Sequence, residues 1–173
     1  MIELLRKRRS RRGYTGEKIS QAHQELLAEA VLRSPSSRSI KPWEFVFVDD
    51  PDLIEKLSRC KPHGASFLKG AALAIVVCGD ETRSDAWVED CSIASIFAQL
   101  TAESLGLGSC WIQIRMRKHE SGDPAETYIQ KLLNIPGHVK VESIISIGHP
   151  ADQLEGHLKN SLDYSKIRRN RYQ

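Results

Sequence analysis

The chain has 173 residues, of which 40% are hydrophobic and 27% charged, and its formal net charge is +3. This length and composition predict a single globular domain over residues 1–173 with a packed core. The small net charge argues against a dedicated nucleic-acid-binding protein, because the excess cations lie only at the ends, in residues 6–12 and 166–171. No apolar run approaches the roughly 20 residues that a membrane-spanning helix requires, so we expect no membrane association.

Cysteine usage and the first residues predict a cytoplasmic protein. Cys60, Cys78, Cys91 and Cys110 are far apart and form no C-x-x-C pair. We therefore expect reduced thiols in the core, with one disulfide as the open alternative. Residues 1–5 are followed by a basic segment rather than an apolar one, so no signal peptide is expected.

Helices and strands alternate in the predicted order of elements. The spacing of apolar residues, caps and prolines predicts a short helix from residue 2, helices over residues 21–33, 50–59, 86–105 and 123–134, and strands over residues 43–48, 73–78, 109–114 and 141–147. The first two strands read as buried on both faces. This order indicates an α+β fold, a three-layer α-β-α sandwich with a central mixed β-sheet. The polar tail, about residues 152–173, is expected to wrap over a neighbouring subunit or to fray.

The helix predicted over residues 86–105 is apolar on more than one face. A helix on the surface of a single domain needs only one apolar stripe. We therefore expect this helix either to lie at the centre of the core or to be shared with a second subunit.

The basic segment at residues 6–12 is compatible with two kinds of anion. Arg8, Arg9 and Arg12 flank the hydroxyl group of Ser10, and Gly13 then predicts an abrupt turn. Guanidinium groups with one hydroxyl make a compact site for a single phosphate monoester. A solvated basic face or a nucleic-acid-binding patch is the alternative.

Two further stretches are candidates for ligand contacts. Residues 34–43 read S-P-S-S-R-S-I-K-P-W, which is either a rigid, hydroxyl-rich binding loop or a plain connection between a helix and a strand. Residues 106–111 read G-L-G-S-C-W. Because this stretch closes a helix and leads into a strand, it differs from a dinucleotide-binding glycine loop. It predicts a helix C-cap, and its small residues also permit close approach of a flat ligand to the backbone.

These segments, in this order, resemble the nitroreductase family of flavoproteins. Residues 8–14 resemble its R-R-S-x-R-x-[FY] motif, residues 34–43 its [AS]-P-S-x-x-N-x-Q-P-W loop, and residues 106–111 its G-L-G-S-C-W segment. Residues 148–150 resemble its G-[YH]-P turn, and residues 162–172 resemble the end of its short members. The five matches in order cover essentially the whole chain.

The resemblance implies an FMN-dependent oxidoreductase that forms a homodimer with two flavin sites at the subunit interface. In the implied ping-pong cycle, NADH or NADPH transfers hydride to flavin N5 and leaves. A nitroaromatic, a quinone or a similar acceptor is then reduced at the same site. No residue is assigned a catalytic role, because the cofactor carries the chemistry.

The same resemblance assigns the cofactor-binding residues. The FMN phosphate is expected at Arg8, Arg9 and Ser10, and Arg12 is expected near the N1–C2 edge of the flavin, where a cation stabilises the reduced ring. The other implied contacts are Pro35, Ser36, Ser37, Ser39 and Lys41 from the second subunit, Leu107, Gly108 and Ser109 near N5, and Gly148, His149 and Arg168 on the phosphate side.

The loop at residues 34–43 departs from the family pattern at two positions. Ser39 replaces the usual asparagine and Lys41 the usual glutamine, so the hydrogen bonds to the ring are expected to differ. The alternative functions are a reductive dehalogenase or biosynthetic oxidase of the same fold, a flavin-binding protein without turnover, and a nucleic-acid-binding module. No metal site is expected, since the histidines show no metal-ligand spacing.

Overall fold

The fold alternates helices with strands, and a computed structural model describes residues 1–172 of it. The helices are α1 (Ile2–Lys7), α2 (Gln21–Leu32), α3 (Pro51–Leu57), α4 (Trp87–Ser104) and α5 (Ala125–Leu133). The strands are β1 (Trp43–Val48), β2 (Leu73–Asp80), β3 (Gly108–Gln113) and β4 (Val139–Gly148). Each predicted element is confirmed, with its ends shifted by at most one or two residues.

Side-chain caps begin two of the helices where the sequence predicts them. The Ser20 hydroxyl accepts a hydrogen bond from the His23 amide at 3.3 Å at the start of α2. The Asp50 carboxylate accepts one from the Leu53 amide at 2.9 Å at the start of α3. Each cap satisfies an amide that has no partner within its helix, which stabilises the fold by about 1 kcal/mol.

The four strands form one antiparallel sheet in the order β1-β2-β4-β3. The expected mixed sheet is therefore wrong for these strands. The helix between β2 and β3 does return the chain in the same direction, but β4 inserts between those two strands and runs opposite to both. Within residues 1–172, the isolated bridges include one parallel pair, Ser10 with Ser109.

Strand β1 is less buried than its apolar sequence predicts. It lies at one edge of the sheet, with Glu44 exposed and residues 45–47 only half-buried. Strand β2 lies inside the sheet and is buried along its whole length. The two strands have similar apolar sequences, so their difference in burial comes from strand order, which the local sequence does not encode.

Helices cover both faces of the sheet, which confirms the three-layer sandwich. Helices α3 and α5 pack on one face against Val76 and Ile144, and helices α2 and α4 pack on the other face against Ile75 and Ile145. Neighbouring residues of a strand point to opposite faces, so each strand contributes to both layers of the core. Burying one such side chain contributes roughly 1.5–3 kcal/mol.

The glycine that follows α4 ends this helix and directs the chain into β3. Gly106 has a φ of +74°, and its amide donates to the Glu103 carbonyl at 3.1 Å. The Leu107 amide donates to the Ala102 carbonyl at 2.8 Å, which completes a Schellman motif. The predicted C-cap is therefore confirmed, and β3 begins directly afterwards at Gly108.

Helix α4 carries a second apolar stripe on the side away from the sheet. Ala94 and Ala98 are fully buried in the core, whereas Ile93, Ile96 and Phe97 are 38%, 44% and 37% exposed. These three residues follow the spacing that places side chains on one helical face. The single subunit therefore leaves an apolar surface on its longest helix open to solvent. We call this surface the α4 stripe.

The state of the four thiols agrees with the sequence interpretation. All four cysteines are free and buried, as expected for reduced core thiols. Among the described residues, no helix combines the length and the apolar character needed to cross a membrane.

Candidate functional site

The segment after α1 is held between the start of β3 and the end of β4. The Arg11 amide donates to the Ser109 carbonyl at 2.9 Å, next to the Ser10–Ser109 bridge. The Thr15 amide donates to the His149 carbonyl at 3.0 Å. These bonds bring the predicted R-R-S-x-R-x-Y motif beside both predicted glycine-containing segments, although about 100 residues separate them in the sequence.

Two glycines at this place make room for the protein's own N-terminal segment. A Cβ at Gly108 would lie 2.8 Å from the Cβ of Arg11, and a Cβ at Gly148 would lie 2.8 Å from the Tyr14 ring. The space next to both glycines is thus filled by this segment rather than left open for a flat ligand. The glycines contribute to the site by letting residues 10–14 pack closely against the sheet.

Tyr14 fixes the position of the motif. Its hydroxyl group lies 2.7 Å from the Arg11 carbonyl and 2.7 Å from the Ser146 hydroxyl of β4. Burial raises the pKa of Tyr14, and the hydrogen bond with Ser146 opposes this shift only in part. The phenol therefore stays protonated and serves as a structural contact.

The thiol of Cys110 in β3 is influenced by three residues of the basic segment, Arg8, Ser10 and Arg12. Burial raises the pKa of this thiol, and Arg12, a hydrogen bond from Ser10, and Arg8 act against that rise. Within residues 1–172, neither Arg8 nor Arg12 forms an ion pair. Two guanidinium groups and one hydroxyl thus influence the same buried thiol, and neither guanidinium group pairs with a described carboxylate; donors of this kind are suited to binding an anion. We call Arg8, Ser10 and Arg12 the cationic cluster.

The other arginines of the basic segment have protein partners. Arg9 donates to the Glu155 carbonyl, and Arg11 donates to Asp152 and to the Leu154 carbonyl at 2.8 Å. The segment therefore does not present one continuous basic face, as a nucleic-acid-binding patch would. Arg9 is predicted as a phosphate contact, but the structure directs it to the start of the tail.

The outward edge of β3 runs away from the cationic cluster. The Ser109 carbonyl accepts from the Arg11 amide, and the Gln113 carbonyl accepts from the Lys61 ammonium group at 2.9 Å. Because paired and outward positions alternate along an edge strand, the backbone of Trp111 faces the same way between them. Lys61 did not emerge from the sequence, because it lies in an unremarkable turn about 50 residues from β3.

The second predicted group of contacts lies at the opposite end of the sheet. Trp43, directly after the loop, pairs with Gly79 at the end of β2. Leu73, at the start of β2, pairs with Ile147, next to the cationic cluster. The six residue steps from Leu73 to Gly79 span roughly 20 Å. One subunit therefore does not bring Pro35, Ser36, Ser37, Ser39 and Lys41 together with the cationic cluster.

The loop itself has a strained but well-supported backbone. Arg38, Ser39 and Lys41 have φ values of 52°, 54° and 53°, a region that costs a non-glycine residue about 1–2 kcal/mol. The Ser37 amide donates to the buried Asp90 carboxylate at 2.8 Å. Asparagine is better suited than serine to this backbone region, so Ser39 is a costlier choice than the usual asparagine. We call residues 35–41 the strained loop.

Two buried carboxylates at this end of the sheet each have one oxygen that receives no hydrogen bond from residues 1–172. They are Asp90 Oδ2 and Glu142 Oε2. Burial raises the pKa of Glu142, and Ser143, Ser92 and Arg115 oppose this shift. Among residues 1–172, no group of three or more histidine, cysteine, aspartate or glutamate side chains is arranged to hold a metal ion.

The predicted tail contact Arg168 lies apart from β4 in the exposed tail. Its guanidinium group sits 5.3 Å from the centre of the Tyr172 ring. The tail starts by running along the N-terminal segment, where Gly156 packs so closely on the Arg6 carbonyl that a Cβ would overlap it. The role of Arg168 in the site stays a prediction.

The fold and the cationic cluster together define an α+β protein with a group of cationic side chains at the edge of its sheet. A model of the nitroreductase family matches residues 5–61 and 59–149 of the chain. The chain therefore belongs to the nitroreductase family. This membership agrees with the resemblance found in the sequence motifs.

Individual relatives support the same family and fold. An FMN-dependent nitroreductase from Clostridium difficile R20291 has a solved structure that is 41% identical, with a TM-score of 0.97 over 99% of this chain and 100% of that one. A protein from Archaeoglobus fulgidus, named for NADH dehydrogenase or NAD(P)H nitroreductase activity, is 34% identical over 89% of this chain and 87% of its own length. An NAD(P)H-dependent FMN reductase from Bacillus subtilis is 30% identical over 88% of this chain and 67% of its own length.

Proposed function

We propose that this chain is an FMN-dependent oxidoreductase that transfers hydride from NAD(P)H to nitroaromatics, quinones or similar small acceptors by a ping-pong cycle. The class and the cofactor are those of its relatives, which include an FMN-dependent nitroreductase and an FMN reductase. When bound, the flavin supplies a ring that accepts and releases hydride. The protein's own residues then have to bind, orient and tune that ring.

The observation that carries this proposal is the cationic cluster, whose two arginines form no ion pair within residues 1–172. Arg8 and Ser10 offer a charged and a neutral donor to the dianionic phosphate of FMN. Arg12 offers the cation that is expected at the N1–C2 edge of the flavin ring. Because Cys110 is buried in the floor of this site and burial raises its pKa, its thiol stays neutral and adds no negative charge against the phosphate.

The outward edge of β3 is suited to the flavin ring. Backbone donors and acceptors that face outward from an edge strand are free to pair with a ligand. Between Ser109 and Gln113 this edge extends over roughly 13 Å. The Trp111 carbonyl receives only the weak thiol contact of Cys110 at 3.6 Å among the described residues. The edge thus offers backbone groups to a flat, polar-edged ligand beside the phosphate cluster.

A homodimer brings the two distant halves of the site together. In a two-fold dimer, a residue that contacts a second residue of the partner is itself repeated on the partner, so every contact occurs twice. The strained loop of each subunit can therefore face the cationic cluster of the other subunit. The α4 stripe, with Ile93, Ile96 and Phe97 exposed, supplies an apolar contact surface at the interface. The exposed apolar tail residues Leu158 and Ile167, each 66% exposed, suit a tail that wraps over the partner.

The experiment that tests this function is optical. We expect the purified protein to show the absorption bands of bound flavin, and anaerobic addition of NADH or NADPH to bleach them. Added nitroaromatic or quinone should then restore the oxidised spectrum. A bound flavin that neither nucleotide bleaches would instead favour a specialised flavoenzyme, such as a dehalogenase or an oxidase. A colourless protein that ignores added FMN would overturn the proposal.

A further inference from the structure

The ammonium group of Lys61 is half-buried and only partly satisfied. Its Nζ donates to the Gln113 carbonyl at 2.9 Å, which is its one hydrogen bond within residues 1–172. An ammonium group has three donors, so two have no acceptor in the described part of the chain. Burial lowers the pKa of Lys61, as expected for a charge that is removed from water without a carboxylate partner.

Lys61 lies at the far end of the edge strand that we assign to the flavin ring. The near end of this edge is covered by Arg11 at the Ser109 carbonyl, and the far end by Lys61 at the Gln113 carbonyl. Burial raises the pKa of Cys110, the cationic cluster acts to lower it, and Cys110 in turn acts to raise the pKa of Lys61 against the effect of burial. The two donors that lack an acceptor are therefore available beside the edge on which the ring would lie.

We propose that Lys61 is a cofactor-binding cation that donates to the carbonyl-bearing edge of the flavin and stabilises its reduced form over its oxidised form. This inference rests on the proposed function. The ring carbonyl oxygens are acceptors of the kind that the ammonium group lacks, and reduction adds negative charge to the ring. A fixed cation at short range and in partly desolvated surroundings favours that charge.

A purely structural role for Lys61 makes a different prediction. In that case the ammonium group only ties the turn at residues 61–64 to β3, where Gly64 with a φ of +74° lies close to its end. Loss of the group would then lower the free energy of unfolding without changing the redox properties of bound FMN. The two roles are therefore separated by the reduction potential.

The test uses the FMN-loaded protein with three single variants. Lys61→Met removes the charge and keeps the unbranched side chain, and Lys61→Arg keeps the charge. Lys131→Met is the matched control, because it removes the same charge from an exposed position of α5. The two-electron reduction potential of the bound flavin, the dissociation constant of oxidised FMN, and the urea midpoint are measured for each protein.

We expect Lys61→Met to lower the ratio of the affinities for reduced and oxidised FMN about tenfold. This change lowers the two-electron potential of the bound flavin by about 30 mV. By linkage, reduced FMN should then be weakened tenfold more than oxidised FMN. Lys61→Arg and Lys131→Met should keep the wild-type potential. If Lys61→Met fails to retain flavin, Lys61→Gln gives the same comparison, since it also removes the charge.

Two outcomes overturn the inference while leaving the proposed function intact. A wild-type potential in Lys61→Met, with or without a lower urea midpoint, would assign Lys61 to the fold alone. An equal shift of the reduction potential in Lys131→Met would show that the effect comes from the net charge of the protein and not from the position of Lys61. Failure of the proposed function is recognised earlier with wild-type protein, which would then either bind no FMN or hold a flavin that neither NADH nor NADPH bleaches. The Lys61 inference would fall with it if no FMN were bound.

Discussion

The two ends of the sheet differ in which of their charged groups lack a partner among the described residues. At one end, Arg8 and Arg12 form no ion pair within the described residues. At the other end, Asp90 and Glu142 each bury a carboxylate oxygen that has no donor. The first end offers charge to a ligand, whereas the second uses a buried carboxylate to hold the strained loop. The first end is therefore suited to recognising an anion, and the second to presenting a rigid backbone surface.

This difference explains why neither end is a complete site. The strained loop of the same subunit lies roughly 20 Å from the cationic cluster along the sheet. This loop holds Arg38, Ser39 and Lys41 at positive φ, which is costly for residues other than glycine. Local strain of this kind persists where the surroundings hold it in place, often at functional sites. The proposed dimer joins the two ends across the interface.

The largest effect on FMN binding is expected from breaking the proposed dimer, which brings the strained loop of one subunit to the cationic cluster of the other. Ile96 is 44% exposed on α4, so Ile96→Asp should change the stability of a single subunit little. If the α4 stripe lies in the interface, the buried aspartate should yield monomers and weaken FMN binding by about 100-fold or more, roughly 3 kcal/mol. Sedimentation and FMN titration measure both effects.

Ile96→Val is the matched control for this prediction, because it keeps an apolar residue of similar shape. It should remain dimeric and loaded with FMN. An Ile96→Asp protein that stays dimeric with unchanged FMN binding would place the interface elsewhere and contradict the role of the α4 stripe.

A smaller effect is expected from loosening the loop end alone. Asp90 is 2% exposed and accepts a hydrogen bond from the Ser37 amide at 2.8 Å. Asp90→Ala leaves that amide without its partner, which should cost about 1–3 kcal/mol of the free energy of unfolding. Asp90→Asn keeps an acceptor oxygen and should cost clearly less. Urea unfolding measures both, and equal losses in the two variants would contradict this role of Asp90.

A pH-dependent effect is expected at the second buried carboxylate. Burial raises the pKa of Glu142, so the folded state holds this proton more tightly than the unfolded state does. The resulting stabilisation is complete below the ordinary glutamate range, near pH 4.3, and is lost as the pH rises through the folded pKa. Glu142→Gln should therefore match the wild type at low pH and exceed it in stability at neutral pH.

Urea midpoints at acidic and neutral pH test this expectation, with the exposed Glu89→Gln on α4 as the control. The control should leave the pH dependence of stability nearly unchanged. A constant difference between Glu142→Gln and the wild type at all pH values would show that the carboxylate does not titrate differently in the folded state.

The order of the elements and the position of the basic segment next to the start of β3 could be predicted from the sequence and the family resemblance. Caps such as Ser20 and the Gly106 C-cap act locally, so their residue types are sufficient to place helix ends. The R-R-S-x-R motif also concentrates charge within one short segment, and the family resemblance predicts that this segment shares one flavin site with residues 107–109 and 148–149. These features depend on residues that are neighbours in the sequence.

Other features depend on strand order and could not be predicted in the same way. The insertion of β4 between β2 and β3 makes the sheet antiparallel and leaves β1 at an edge. It also separates the strained loop from the cationic cluster. Lys61 and Cys110 reach the site only through long-range packing, and a lysine followed by proline carries no local signal for a cofactor contact.

The central claim is that one flavin site takes its cationic cluster from one subunit and its loop from the other. A mixed dimer tests it most directly. One chain carries Arg8→Ala with Ser10→Ala, the other carries Ser37→Trp, and two different affinity tags isolate the mixed species. Each variant should form flavin-poor homodimers, because both of their sites are damaged.

In the mixed dimer, two-fold symmetry places both defects in one site and leaves the other site intact. We therefore expect about one tightly bound FMN per mixed dimer, with the affinity of the wild-type site. A mixed dimer that binds as little FMN as the two homodimers would show that both groups of residues serve the same subunit's site, and would contradict the account.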